Sequence, residues 1–296
     1  MKVCLLMAEG CTNGEAGAAK RYRYHASGRD SIAVERAAHH HAGAVCGGGH
    51  WKLRAGEMAK KTNKAHHDIK QQMVVAGKVL VAEGHDDFTR GHISMRLPDN
   101  PKLFFMKPHS MGLDEITVQN ILTIDLEGNV VAGKARRHSE VYIHSEILKA
   151  RPDLNCVIHT HSPYAVALSG TGRPMRAYSQ PGALFRGEVG LYTDTIALIR
   201  SHAMGAGVAK ALGPHRAVLL KNHGPVVTGK TIAEAVVAAT MLENAAMVQL
   251  AVEAAGDPAP EFSPEDLAKL KGEISQPEQF QINFDYLVRR VKRRGT

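Results

Sequence analysis

Two histidines separated by one residue, His159-Thr160-His161, close an apolar run, Cys156-Val157-Ile158. In an extended strand, side chains two apart project to the same face, so the two imidazoles point together and can share one cation. Ser162-Pro163 ends the strand, which puts the pair at its carboxyl end, where α/β proteins build their sites. A third imidazole, His223, follows a second apolar strand, 217–220, and precedes Gly224-Pro225, the composition of a sharp turn. Ser139-Glu140 opens a helix. The helix dipole favours an acidic residue in a first turn in any case, so position alone does not assign Glu140. His144 lies one turn further on the same helix face, as a ligand, as a partner of one, or, the plainer reading, as a packing residue. Three neutral imidazoles and a carboxylate suit one borderline divalent metal ion: Zn, Mn, Fe or Co. If substrate displaces Glu140, the site keeps an open position and is catalytic, not structural.

These residues need elements to hold them. Apolar positions at three- and four-residue spacing predict a helix from about Lys64 to Glu83, with Gly84 just past its end. Strands are expected at 92–97, 103–106 and 121–125, separated by Pro- and Gly-containing turns. A helix over 140–150 stops at Arg151-Pro152. A strand over 155–161 and a helix opening at Pro163 follow, then a helix over 194–212, a buried strand over 217–221 and a long helix over 232–255. Asp257-Pro258-Ala259-Pro260 breaks the chain before C-terminal helices of lower apolar content. Strands and helices alternate without a strict βαβ rhythm, and no Gly-rich phosphate-binding motif is present.

Composition narrows the remainder. The 296 residues are 44% hydrophobic and 22% charged, an ordinary globular balance. The net charge of +8 is concentrated at the start: residues 1–67 carry 11 basic and 5 acidic side chains, the other 229 carry 26 and 24. With aromatics at 5%, a nucleic-acid partner is not expected. No run approaches the length of a membrane span, so no membrane partner is expected either. Four cysteines without a CxxC pair fit a reducing, cytoplasmic setting. Residues 1–63, with His39-His40-His41 and Gly47-Gly48-Gly49, lack helical or strand periodicity and read as a flexible or artefactual leader with few contacts to the body. The organisation expected is a leader, 1–63, and one catalytic domain, 64–296.

Three runs in combination resemble the class II aldolase/adducin family: Arg137-His138-Ser139-Glu140-Val141-Tyr142-Ile143-His144, then 151–162 with its His159-Thr160-His161, then Leu219-Leu220-Lys221-Asn222-His223-Gly224. The resemblance covers roughly 66–255. It implies a three-layer α/β/α fold around a mainly antiparallel central sheet, metal ligation by His159, His161 and His223, and an acid/base glutamate, Glu140, that also reaches the metal. It also implies a homotetramer with sites near subunit contacts.

The pocket elements depart from the family's sugar-phosphate pattern. Where phosphate binders carry small donors, this chain has Gly91-His92-Ile93-Ser94, His109-Ser110 and His138-Ser139. His92, Ser94, His109, Ser110, His138 and Ser139 are therefore the candidate substrate-binding residues. Planar, titratable donors suit a carboxylate or a flat ring and are expected to gain charge near neutral pH. Arg96 and Arg186 are possible carboxylate clamps. The pattern is similar to that of the family's decarboxylases of aromatic or heteroaromatic hydroxy acids. The expected function is thus a divalent-metal-dependent carbon–carbon lyase that decarboxylates a small-molecule hydroxy acid. Glu140, His92, His109 or His138 would deliver the proton to carbon. The alternative is an aldolase or epimerase of a small sugar or sugar phosphate. An adducin-like interaction module would be expected to lose the metal positions, and all are present.

Overall fold

The computed structural model describes residues 50–256 and 260–295. The described residues belong to one compact unit. Most of the expected leader, and the expectation that it makes few contacts, lie outside the described residues. The first helix, α1 (His50–Ala82), begins well before Lys64, so a boundary at residue 63 would cut a continuous helix. Gly84 follows it at φ +81, the left-handed conformation expected past a helix end.

Eight strands form one sheet: β1 (His92–Arg96), β2 (Leu103–Met106), β3 (Leu122–Asp125), β4 (Val130–Ala132), β5 (Cys156–His159), β6 (Val189–Tyr192), β7 (Ala217–Leu220) and β8 (Gly224–Gly229). The spatial order is β4-β3-β2-β1-β5-β8-β7-β6. All pairings are antiparallel except β6 with β7. Alternation along the strands divides the core into two layers. Ile93, Phe105, Cys156, Ile158, Leu219 and Val227 face α1, α3 (Pro163–Thr171), α6 (Ile232–Ala254) and α8 (Pro277–Arg294). Phe104, Met106, Val157, Val218, Leu220 and Val226 face α2 (Val141–Ala150) and α5 (His202–Leu212). The result is the expected three-layer α/β/α arrangement. The helices α4 (Gln180–Phe185) and α7 (Pro264–Ile274) complete the described elements.

Among the described residues α6 alone has the length and hydropathy of a membrane span, and 56% of its apolar window is buried inside the protein. It is the central helix of the larger core, packed with Leu80, Leu168 and Phe284.

Several expectations differ from the structure for identifiable reasons. The helix read over 194–212 begins only at His202, where the Ser201 hydroxyl caps it by accepting from the Met204 N–H. The preceding stretch stays open, which frees the Ile199 N–H to bond Glu140 at 2.9 Å. The Gly224-Pro225 turn opens a strand, β8. Proline is tolerated there because it lies at the start of the strand, beyond the last β5–β8 pair of His159 with Val226, while its carbonyl still accepts from Thr160 N–H at 3.3 Å. The short elements β4, β6 and α4 have no distinct periodicity and were not expected.

Candidate metal centre and substrate pocket

The β5 strand positions the first ligand candidate. His159 shares the α2-facing side of the sheet with Val157 and is fully buried. In the antiparallel ladder it faces Val226 of β8 on one side and His92 of β1 on the other. His161 lies two residues on, beyond the strand. His223 precedes β8, held in a turn where Asn222 adopts the left-handed conformation (φ 56). Gly224 lets the two segments close: a Cβ there would sit 2.2 Å from the Thr160 carbonyl oxygen and 3.0 Å from the His161 ring. Ring centroids of His159 and His161 are 4.8 Å apart, those of His159 and His223 4.9 Å, and those of His161 and His223 5.2 Å. The three offer ligand atoms all within 4.8 Å of one another.

The donor set fits a divalent cation. His159 Nδ1 stands 3.0 Å from the Pro225 carbonyl, so Nδ1 carries the hydrogen and Nε2 keeps its lone pair. That buried Nε2, and both ring nitrogens of His223, have no hydrogen-bond partner. Burial, the largest cause, holds the His159 pKa well below its usual value and that of His223 down at about 4. Both rings are neutral, as a metal ligand must be.

His161 Nδ1 lies 2.8 Å from the Asp87 carboxylate, which is itself braced by Arg90 at 2.5 Å. This leaves His161 Nε2 for a cation and gives it the carboxylate support typical of metal-bound imidazoles. Asp87→Asn should weaken divalent-metal affinity about 10–100-fold while the fold stays intact. A competitive chelator titration checks this, and unchanged affinity would remove Asp87 from the site.

Glu140 caps α2 at its N-terminus but uses its side chain elsewhere. One oxygen accepts from Ile199 N–H at 2.9 Å and lies 3.7 Å from His223 Nε2; the other lies 3.8 Å from His92 Nε2. Burial pushes its pKa up to about 7, against the opposing effects of the Ile199 bond and the Arg200 charge. A cation among the three histidines would pull it back down.

The other histidines form a row beside this group. His92 and His138 rings are 4.1 Å apart, His138 and His109 5.4 Å, and His92 and His159 5.0 Å. His92 Nδ1 contacts His144 Nε2 at 2.6 Å, and His144 Nδ1 contacts the Ser94 hydroxyl at 2.6 Å. One proton assignment uses the buried Ser94 hydroxyl proton and runs in one direction. Ser94 O–H donates to His144, His144 Nε2–H donates to His92, and His92 therefore carries its hydrogen on Nε2, facing Glu140. The reverse order would leave a buried hydroxyl proton unused and turn the His92 lone pair toward a carboxylate. His138 Nδ1 accepts from the Glu140 N–H at 3.3 Å, so its hydrogen is also on Nε2. His92, His138 and Glu140 also lie close enough to hold a cation, but this tautomer makes His92 a donor, not a ligand.

Three readings from sequence need correction. His92 and His138 do not gain charge near neutral pH. Burial first, then neighbouring charges, holds His92 well below its usual pKa and His138 at about 3. They are neutral donors. Arg96 is not a clamp for substrate: its guanidinium donates to the carbonyls of Leu148 and Pro101, each at 2.6 Å. Arg186 is paired with Glu261 at 2.6 Å. Ser94 is fully buried, with its hydroxyl committed to His144. Ser110 (φ 63) is exposed and bonds His109 at 2.5 Å, while Ser139 is half-buried beside Glu140. His144, read mainly as packing, is the link between Ser94 and His92. Asp87, Ile199 and Arg200 were missed, because nothing in their local sequence distinguishes a loop residue that folds back over a site.

Residues 71–250 match the family described as the class II aldolase and adducin N-terminal domain. The chain is 32% identical over 216 residues to the 3,4-dihydroxyphthalate decarboxylase of Arthrobacter keyseri, covering 69% of this chain and 87% of that one. It is also 32% identical over 207 residues to the decarboxylase NovR of Streptomyces niveus, covering 69% and 76%. Its fold superimposes on the L-fuculose 1-phosphate aldolase of Glaciozyma antarctica PI12 with a TM-score of 0.70 at 28% identity, over 78% of this chain and 91% of that one. The match spans the sheet and the helices on both its faces, including every strand and turn that carries the histidine group: this chain belongs to the class II aldolase and adducin family.

Proposed function

We propose that the protein is a divalent-metal-dependent carbon–carbon lyase that decarboxylates a hydroxylated aromatic or heteroaromatic carboxylic acid. His159, His161 and His223 would hold the cation, with Glu140 within reach of it. The observation carrying this reading is the row of neutral N–H donors, His92 and His138, set between the His159 group and His109. Neutral imidazoles can hydrogen-bond a carboxylate or an aromatic hydroxyl, and their flat rings line a pocket suited to a planar substrate. The dihydroxyphthalate decarboxylase relative supports the same class of substrate.

The bound cation supplies Lewis-acid stabilisation of the negative charge left when carbon dioxide departs. The chain's own groups do the rest. His92, held in one tautomer by His144 and Ser94, donates from Nε2 to an acidic oxygen of the substrate. Glu140 takes the proton of the substrate's hydroxyl and delivers it to the carbon whose bond to the departing carbon dioxide breaks, so that the electron pair left on that carbon ends in the new C–H bond. Ile199 N–H holds the other Glu140 oxygen and so orients the carboxyl group.

The test is metal analysis followed by a screen of hydroxy-aromatic mono- and dicarboxylic acids for carbon dioxide release. Release that depends on added metal is the expected result. Efficient cleavage of a sugar phosphate, with no carbon dioxide from any acid, would replace this reading with the aldolase alternative, which the fuculose-phosphate aldolase fold supports.

A further inference from the structure

Two of the three histidines at the candidate metal centre are oriented through their rings, His159 by the Pro225 carbonyl at 3.0 Å and His161 by the Asp87 carboxylate at 2.8 Å. His223 is not: among the described residues neither of its ring nitrogens has a hydrogen-bond partner. Its imidazole is therefore aimed by the turn that carries it and by the rings it packs against, that of His161 lying nearly parallel at 16°.

The turn is held from outside. Asn222 keeps the left-handed conformation (φ 56), which a residue other than glycine adopts only where its surroundings impose it. The His223 N–H closes the turn on the Leu220 carbonyl at 3.0 Å. The Asn222 N–H donates to the Ser169 hydroxyl at 3.0 Å. A Cβ on Gly170 would stand 2.6 Å from Asn222 Oδ1, so the bare glycine leaves the space in which the Asn222 side chain lies.

Ser169 and Gly170 belong to α3. Ser169 is fully buried. Its single hydroxyl proton goes to the Val166 carbonyl at 2.6 Å, so toward Asn222 its oxygen can only accept. The other end of α3 is anchored too. It opens at Pro163, just past His161-Ser162, and the Tyr164 and Ala165 N–H groups donate to the buried carboxylate of Glu243 on α6, at 2.8 and 2.9 Å. A carboxylate on these otherwise unpaired amides suits the helix dipole as well. One helix thus starts beside His161 and reaches the turn of His223.

We infer that Ser169 is a positioning residue for His223. With α3 capped by Glu243, the Ser169 hydroxyl holds the Asn222 turn and so sets where the third imidazole stands against His159 and His161. This rests on reading the three histidines as a cation site, and it gives a part in that site to a buried helical serine that is not itself a ligand.

The full chain, stripped of metal, is titrated with zinc against a competing chelator and then with cobalt(II), whose visible absorption reports the arrangement of its ligands. Wild type is compared with Ser169→Ala, Ser169→Thr and Thr231→Ala, and a thermal melt is recorded for each. Thr231 caps α6 by accepting from the Glu234 N–H at 3.1 Å, so its loss controls for lowered stability alone. Ser169→Ala is expected to bind zinc about tenfold more weakly and to change the cobalt spectrum, whereas Ser169→Thr, which keeps the hydroxyl, and Thr231→Ala retain both. In a His223→Ala background, Ser169→Ala should cause no further loss of zinc affinity, because its route to the cation is gone. Wild-type affinity and spectrum in Ser169→Ala overturn the inference. An undiminished effect in the His223→Ala background also overturns it and shows that Ser169 acts through the fold as a whole. Equal loss in Ser169→Ala and Ser169→Thr does the same and gives the role to packing. If the cation reading alone is wrong, no form binds zinc, yet Ser169→Ala still moves the His223 ring resonances of the metal-free protein while Thr231→Ala leaves them in place; unmoved resonances sink the inference there too.

Discussion

Replacing His159 with alanine is expected to remove bound divalent metal and lower turnover by roughly 10³-fold or more, because the charge left on carbon then loses its Lewis acid. The effect should be largest at this position of the three. His159 is fully buried, its Nδ1 is fixed on the Pro225 carbonyl, and its Nε2 has no use except toward a ligand. His161 and His223, at 10% and 8% side-chain exposure, have more room to let water replace them. The fold should survive. The backbone ladder of β5 with β1 and β8 does not involve the imidazole, and the loss of one hydrogen bond and a small volume costs about 1–3 kcal/mol. Metal content by elemental analysis, a thermal melt and the rate on the best acid decide the matter together. Full metal occupancy with wild-type turnover would show that the histidine group is not the reaction centre.

Glu140→Gln is expected to keep the metal and lose about 10²–10⁴-fold in turnover, the usual contribution of a positioned proton-transfer group. Glutamine has nearly the same shape, and its amide oxygen can still accept from Ile199 N–H, so the local backbone is undisturbed. It cannot take up or release a proton. Its NH₂ group also turns a donor toward the Nε2–H of His92, where the carboxylate offered an acceptor 3.8 Å away. Unchanged metal content with a collapsed rate separates proton transfer from ligation. A rate within a few-fold of wild type would pass the proton-donor role to the histidine row, with His138 and His109 the next residues to replace.

How much of this was legible beforehand depends on distance along the chain. The pairing of His159 with His161 follows from two-residue periodicity, a local property of any strand. The α/β class and most elements follow from spacing of apolar residues and from proline and glycine punctuation, also local. The recurring runs around Glu140, His159 and His223 marked the family and the residues to test. Elements with little periodicity, such as β4 and α4, left no such trace, and β8 was hidden because Gly224-Pro225 is written like a turn.

The sequence by itself, then, determined the class of fold, the histidines and the glutamate on which the proposed chemistry rests, and the exchange of small donors for imidazoles. Only the tertiary structure decided which partners each of those groups has. It set His92 opposite His159 through the β1–β5 register, brought Asp87 to His161, and placed Ser94 and His144 behind His92 to fix its tautomer. It also buried the histidine row, which keeps His92 and His138 neutral where residue type alone suggested cations, and it committed Arg96 to backbone carbonyls and Arg186 to Glu261. The physical reason is the same throughout. Protonation, tautomer and charge depend on burial and on partners tens of residues away, and those exist only once the chain has folded.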